Sequence, residues 1–166
     1  MTEGDRADGL PRAPFVVYNT LLWGLAPLGP AIVLGAKVLS RRLGKTWRGQ
    51  LGLELPPAPA CEDSIWIQAA SVGETQAAGP VIAALRRRLP GSPIVLTSST
   101  PEGQRLARER SGADRFGTFP FDFGPVVARY FETFRPKLCV VVETEIWPNL
   151  VRACARRGVP LALVNG

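Results

Sequence analysis

The chain contains no histidine. That absence excludes Ser-His-Asp and Cys-His catalysis within it, and any histidine-containing zinc site. Cysteine is scarce. Cys61, Cys139 and Cys154 are odd in number and lack CxxC spacing, so they read as reduced, buried thiols and not as a disulfide frame. No metal site is expected. The GxGxxG fingerprint and the Walker A lysine motif are both missing, which argues against a classical NAD or ATP site. Basic residues are not interleaved with aromatics across the globular part, so nucleic acid is not expected as a partner. What remains is 166 residues, 46% apolar and 20% charged: enough for one compact domain and too apolar for disorder.

The net charge of +6 is unevenly placed. Residues 37–50 carry Lys37, Arg41, Arg42, Lys45 and Arg48 and no acid. They follow Phe15–Ala36, a run of 22 residues without a charge. As a helix that run would be about 33 Å long, enough to cross a bilayer core. Asn19, Thr20, Pro27 and Pro30 make it a poor spanning helix. It either spans, with the basic stretch on the cytoplasmic side, or lies in the interface as a monotopic anchor. Spanning is the preferred reading. The expected location is the cytoplasmic face of the inner membrane, against anionic lipid.

The expected organisation is a tail (1–14), an anchor with its basic stretch (15–48), a Pro-rich linker (49–63) and a folded domain (64–166). Within the last, short apolar strands alternate with amphipathic helices. Strands are expected at 64–70, 93–98, 115–119, 137–142 and 159–164. Helices are expected at 74–89, 101–110, 124–134 and 148–157. Five strands alternating with four helices predict an α/β fold: a Rossmann-like, doubly wound parallel sheet. Ligands gather at the carboxyl ends of such strands. Those ends are Ala70–Glu74, Ser98–Thr100, Pro120–Asp122 and Glu143–Glu145, and three of the four carry carboxylates.

Ser71-Val-Gly-Glu74 fits a capping box, with Ser71 at N-cap and Glu74 at N3. The same residues suit an anion site with a nearby general base, and Gly73 lets a backbone approach a ligand. Glu143-Thr-Glu145-Ile-Trp147-Pro-Asn149 follows the fourth strand. Its acids either complement a helix dipole or serve a site. Thr100-Pro101-Glu102 reads as an ordinary helix start. Arg86-Arg87-Arg88 reads as a solvated helix end, with contact to anionic lipid as the alternative.

Together, Ala69-Ala-Ser-Val-Gly-Glu-Thr75 and Val142-Glu-Thr-Glu-Ile-Trp-Pro-Asn-Leu150 resemble the bacterial 3-deoxy-D-manno-octulosonic acid (Kdo) transferases. The order of the remaining segments matches too: anchor, basic stretch, Thr-Ser-Ser-Thr-Pro-Glu-Gly103, Pro-Phe-Asp122 and Arg-Pro-Lys137. The resemblance covers roughly residues 15–166. It implies the amino-terminal, acceptor-binding half of a two-domain GT-B glycosyltransferase. Such an enzyme moves Kdo from CMP-Kdo to a lipid A precursor in lipopolysaccharide assembly, with inversion and without a cofactor. It further implies Glu74 as general base and Glu143 as a charge supporting the transition state. Ser71, Gly73 and Thr75 would line the substrate site, and Glu145, Trp147 and Asn149 would hold the second loop there.

Two departures stand out. Many family members have histidine where this chain has Gln68. The family also continues past Asn165-Gly166 into a donor-binding domain, so CMP-Kdo would be met through a carboxyl-terminal domain that this sequence lacks. The alternative is a non-catalytic, membrane-tethered fragment that holds an acidic glycolipid.

Overall fold

The computed structural model describes residues 12–28, 46–55, 63–143 and 146–164. It divides into two compact units, Met1–Gly44 and Lys45–Gly166.

In the first unit, α1 spans Arg12–Leu25 and passes into a 3-10 turn at Ala26–Leu28. Asn19 is tolerated in this apolar helix because its Nδ2 donates to the Phe15 carbonyl one turn back, at 3.0 Å. Val16, Val17, Leu21, Trp23 and Leu25 are exposed. The expected spanning helix is not seen. α1 has 14 residues and rises about 21 Å, against a core of about 30 Å. It gives way at Pro27, which has no N–H to continue the ladder. No helix among the described residues is long and apolar enough to cross a membrane. Residues 29–36 of the uncharged run, and most of the basic stretch, lie outside the described residues.

The second unit opens with α2 (Thr46–Gln50). Residues 49–55, expected to begin a linker, are docked on the sheet instead. Gly49 is buried, and the Tyr130 hydroxyl lies 2.8 Å from its carbonyl and 2.9 Å from that of Thr118. The Phe121 amide donates to Gln50 O at 2.9 Å. A Cβ on Gly49 would fall 2.8 Å from Thr118, so only glycine permits this approach.

Then follow β1 (Ser64–Gln68), α3 (Val72–Arg88), β2 (Ile94–Ser98), α4 (Pro101–Arg110), β3 (Arg115–Thr118), α5 (Gly124–Phe134), β4 (Pro136–Val142), α6 (Pro148–Arg157) and β5 (Leu161–Val164). All five strands are parallel, in the order β3-β2-β1-β4-β5. That is the doubly wound, Rossmann-like arrangement predicted from the alternation of strands and helices.

Alternation along the strands feeds two cores. Ile65, Ile67, Ile94, Leu96, Val140 and Val142 pack with Ala78, Ile82 and Ala107 of α3 and α4. Trp66, Val95, Cys139 and Val141 pack on the other face with Tyr130, Phe131 and Phe134 of α5 and Leu150 and Cys154 of α6. Trp66 anchors this second core. Its ring centroid lies 5.9 Å from Tyr130 and 5.3 Å from Phe134, and its Nε1 donates to Thr97 Oγ1 at 2.8 Å. The hydrogen bond that the Cys139 thiol donates to Cys154, together with burial, pushes Cys139 well up, so it stays protonated. Both cysteines are free and buried, as their scarcity suggested. Cys61 lies outside the described residues.

Candidate functional site

Strand order reverses between β1 and β4, and the two sequence motifs leave the carboxyl ends of those two strands. Neighbouring strands of a doubly wound sheet open a crevice at this point.

The first motif forms the turn from β1 into α3. Ser71 is the N-cap, and its Oγ accepts from the Glu74 amide at 3.2 Å. Half of the expected capping box is therefore present. The other half is displaced by one residue. Glu74 Oε2 accepts from the Ala70 amide at 2.5 Å, not from the N-cap residue itself. Glu74 is 6% exposed, and among the described residues its Oε1 accepts no hydrogen bond. A buried carboxylate at a helix start, steadied through one oxygen and open at the other, has the form a proton acceptor needs. Thr75 is buried and its hydroxyl donates to Ser71 O at 2.7 Å, which fixes the turn. Gly73 is exposed, and a Cβ there would meet only Ser71 Oγ, at 3.9 Å. Nothing within the described residues requires glycine at that position.

The second motif begins at Glu143, which is half-buried and left-handed, with φ at 69°. A non-glycine residue held there costs about 1–2 kcal/mol. Its amide donates to Val164 O at 2.8 Å, which ties the strained position to β5. Thr144 and Glu145 lie outside the described residues. Trp147 is the N-cap of α6 by position but offers no side-chain cap. Its ring packs on Phe119 at 4.9 Å.

The cap of α6 comes from elsewhere. Asp122, at the end of the β3 segment, is 5% exposed. Its Oδ2 accepts from the Asn149 amide at 2.8 Å and its Oδ1 from the Leu150 amide at 2.9 Å. Asn149 Nδ2 donates back to the Asp122 carbonyl. Pro148 at N1 needs no partner for a missing N–H. In the sequence Asp122 stands at a strand end with no sign of this capping role. A helix whose own N-cap is tryptophan was the signal that a cap had to arrive from another loop. The structure thus brings Ser71, Gly73, Thr75 and Glu74 together in one turn, sets Glu143 on the adjacent strand, and turns the Asn149 side chain toward Asp122.

Other expectations hold locally. Thr100 caps α4 by accepting from Gly103 N at 3.1 Å, as an ordinary helix start should. Gly103 is required, since a Cβ would sit 2.2 Å from Ser98 Oγ. Of the arginine triplet, Arg87 and Arg88 are exposed, whereas Arg86 pairs with Asp114 at 2.6 Å. Burial pushes the Asp114 carboxyl up. The Arg86 hydrogen bond, the Ile94 amide and the charges of Arg86 and Arg115 outweigh that and hold it below its ordinary value.

Comparison with known proteins gives the family of the chain. The model for the family described as 3-deoxy-D-manno-octulosonic-acid transferase (kdotransferase) matches residues 39–166. The 3-deoxy-D-manno-octulosonic acid transferase of Bordetella pertussis is 36% identical over 162 residues, covering 90% of this chain and 36% of that protein. The Haemophilus influenzae transferase is 37% identical over 102 residues, covering 61% of this chain and 24% of the relative. The Aquifex aeolicus transferase is 32% identical over 106 residues, covering 63% and 28%. The chain thus spans about a quarter to a third of the length of these relatives. With its two motifs flanking the switch point and the family model matching most of its length, the chain belongs to the Kdo transferase family of glycosyltransferases, of which it represents the amino-terminal domain.

Proposed function

We propose that this chain is the acceptor half of an inverting transferase that moves Kdo from CMP-Kdo to a lipid A precursor during lipopolysaccharide assembly. The observation that carries the reading is the Glu74 carboxylate: buried, at the switch point, and held through one oxygen only. Its free Oε1 would take the proton from the acceptor hydroxyl as that oxygen attacks the anomeric carbon of Kdo. The bond to the CMP phosphate breaks on the opposite face, which inverts the centre. Glu143 would act by charge near the developing transition state. The donor would be held by the region in which the longer relatives exceed this chain, completing a GT-B pair of domains. No cofactor is needed for this displacement.

Membrane attachment belongs to the same proposal. The exposed apolar residues of α1 suit insertion into the interface, with the neighbouring cations on the anionic cytoplasmic face of the inner membrane.

The test is a transfer assay with CMP-Kdo and a lipid A precursor. The chain joined to the carboxyl-terminal domain of a relative should form the Kdo-lipid product. The 166-residue chain alone should not, because orienting two substrates supplies about 7–11 kcal/mol of a barrier and one domain offers no opposing wall. Turnover by the chain alone would refute the two-domain mechanism. An inert joined enzyme that still binds the lipid would favour the glycolipid-binding fragment.

A further inference from the structure

The molecule holds two buried glutamines, and they differ. Gln104, on α4, donates from Nε2 to the Ser98 carbonyl at 3.2 Å and to Thr118 Oγ1 at 3.0 Å. Gln68 is the last paired residue of β1 and is 2% exposed. Neither its Nε2 nor its Oε1 has a hydrogen-bond partner. No other buried side-chain nitrogen or oxygen among the described residues is left so. The neighbouring polar side chain, Thr97, is satisfied: its Oγ1 accepts from Trp66 Nε1 at 2.8 Å and donates to Ile67 O at 3.3 Å. An unpaired buried amide is costly on both its donor and its acceptor side. Such an exception calls for a partner.

Its place indicates what the partner is. Gln68 pairs in register with Thr97 on one side and Val141 on the other. Two residues further along these strands come Ala70, whose amide holds Glu74, and Glu143. The unpaired amide therefore sits one step below the switch-point crevice. A carboxamide offers one donor group and one acceptor side by side. A phosphate or carboxylate could satisfy only the N–H, and an ammonium only the carbonyl. Neighbouring hydroxyls of a sugar ring satisfy both, one accepting and the other donating.

We propose that the Gln68 carboxamide is a sugar-binding contact, taking a pair of adjacent hydroxyls of a substrate sugar at the base of the crevice. This rests on the transferase reading and adds to it a residue that selects carbohydrate over other anionic ligands. Because the amide is unpaired in the free chain, binding there gains two hydrogen bonds without breaking any within the protein.

The test is side-chain amide NMR on the 166-residue chain with ¹⁵N-labelled glutamine. Gln68→Leu identifies the Gln68 NH₂ signal. Free Kdo and a glucosamine disaccharide are then titrated separately. The Gln68 signal should move to saturation with one of the sugars, and Gln68→Leu should weaken that binding about tenfold. Its melting temperature should hold or rise, while Gln104→Leu, which strips real partners, should lower it. Three results would overturn the proposal: a Gln68 signal that stays fixed while others move, no response to either sugar, or a Gln68→Leu melting point that falls as far as that of Gln104→Leu. The last would mean that the amide already has a partner, such as an ordered water. Transfer activity of the joined enzyme is measured separately, so failure of the transferase reading would be seen there and not in these spectra.

Discussion

Glu74 and Asp122 are both buried carboxylates near the start of a helix, on the same edge of one sheet. Asp122 spends both oxygens on the α6 amides and its carbonyl on Asn149. Glu74 spends one oxygen on Ala70. A carboxylate whose lone pairs are committed to main-chain donors is a structural anion, since protonating it would break the helix start it holds. One with an oxygen to spare can accept a proton and keep its place. Burial and helix dipole are shared by the two, so neither of these separates the base proposed here from the clasp. The count of committed oxygens does.

The largest effect that would break this comparison is on turnover. Glu74→Gln in the joined, full-length enzyme should reduce the transfer rate by about 10²–10⁴, because an amide cannot serve as a base. Its melting point should change little, since the amide oxygen can still accept from Ala70. Retained activity with lost stability would return Glu74 to the same class as Asp122. Next comes Asp122→Ala, which leaves the Asn149 and Leu150 amides without their acceptor. It should cost about 2–3 kcal/mol and lower the melting temperature by roughly 6–12 °C. If calorimetry finds it neutral, the clasp is ornamental and counting oxygens decides nothing.

Glu143→Gly sharpens the contrast from the side of strain. Glycine accepts the left-handed backbone freely, so stability should rise by about 1 kcal/mol while turnover falls. A gain in both would remove Glu143 from the site. The smallest effect concerns Asp114, a carboxylate on the opposite edge of the sheet with a 38% exposed side chain. Its folded pKa lies below 3.8, so its contribution is present above about pH 4 and is lost as pH falls through the folded value. Solvent screening limits that contribution to less than about 1 kcal/mol. Asp114→Asn should flatten the stability curve in that acid range only. A change at neutral pH larger than this would show that exposure does not discount the pair.

The sheet was legible because its signals are local and periodic. The α4, α5 and α6 boundaries at 101–110, 124–134 and 148–157 coincide with those read from apolar spacing and helix-start residues. Four strands are a residue or two shorter than expected and β4 gains Pro136; β1 ends at Gln68, and Ala69, whose amide still donates to Thr97 O, leads with Ala70 into the turn that carries Ser71. The uncharged run after Phe15 did not show where its helix stops: α1 ends at Leu25 and a 3-10 turn carries Pro27, while residues 29–36 lie outside the described residues. The site was half legible. Ser71 and Glu74 show their spacing in the sequence. Asp122 does not, because it acts on amides 27 and 28 positions away. In the sequence Gln68 shows only as a replacement for the histidine of many family members. That its amide lacks a partner is a property of three adjacent strands, which a linear pattern cannot express.

The position of β1 bears on how the chain is made. β1 is the first strand in the sequence yet lies at the centre of the sheet, with β4 as one of its two neighbours. Ile65 waits for Leu138, and Trp66 for Cys139, the far side of two intervening β-α units. Contacts so distant in sequence slow folding, and on a ribosome adding about 5–20 residues per second the inner edge of β1 stays unpaired for several seconds. A nascent chain stalled before Pro136 would carry an open, apolar strand edge at Ile65–Ile67. Such a chain should pass to chaperones or aggregates, whereas one released after Val142 can close the sheet around β1.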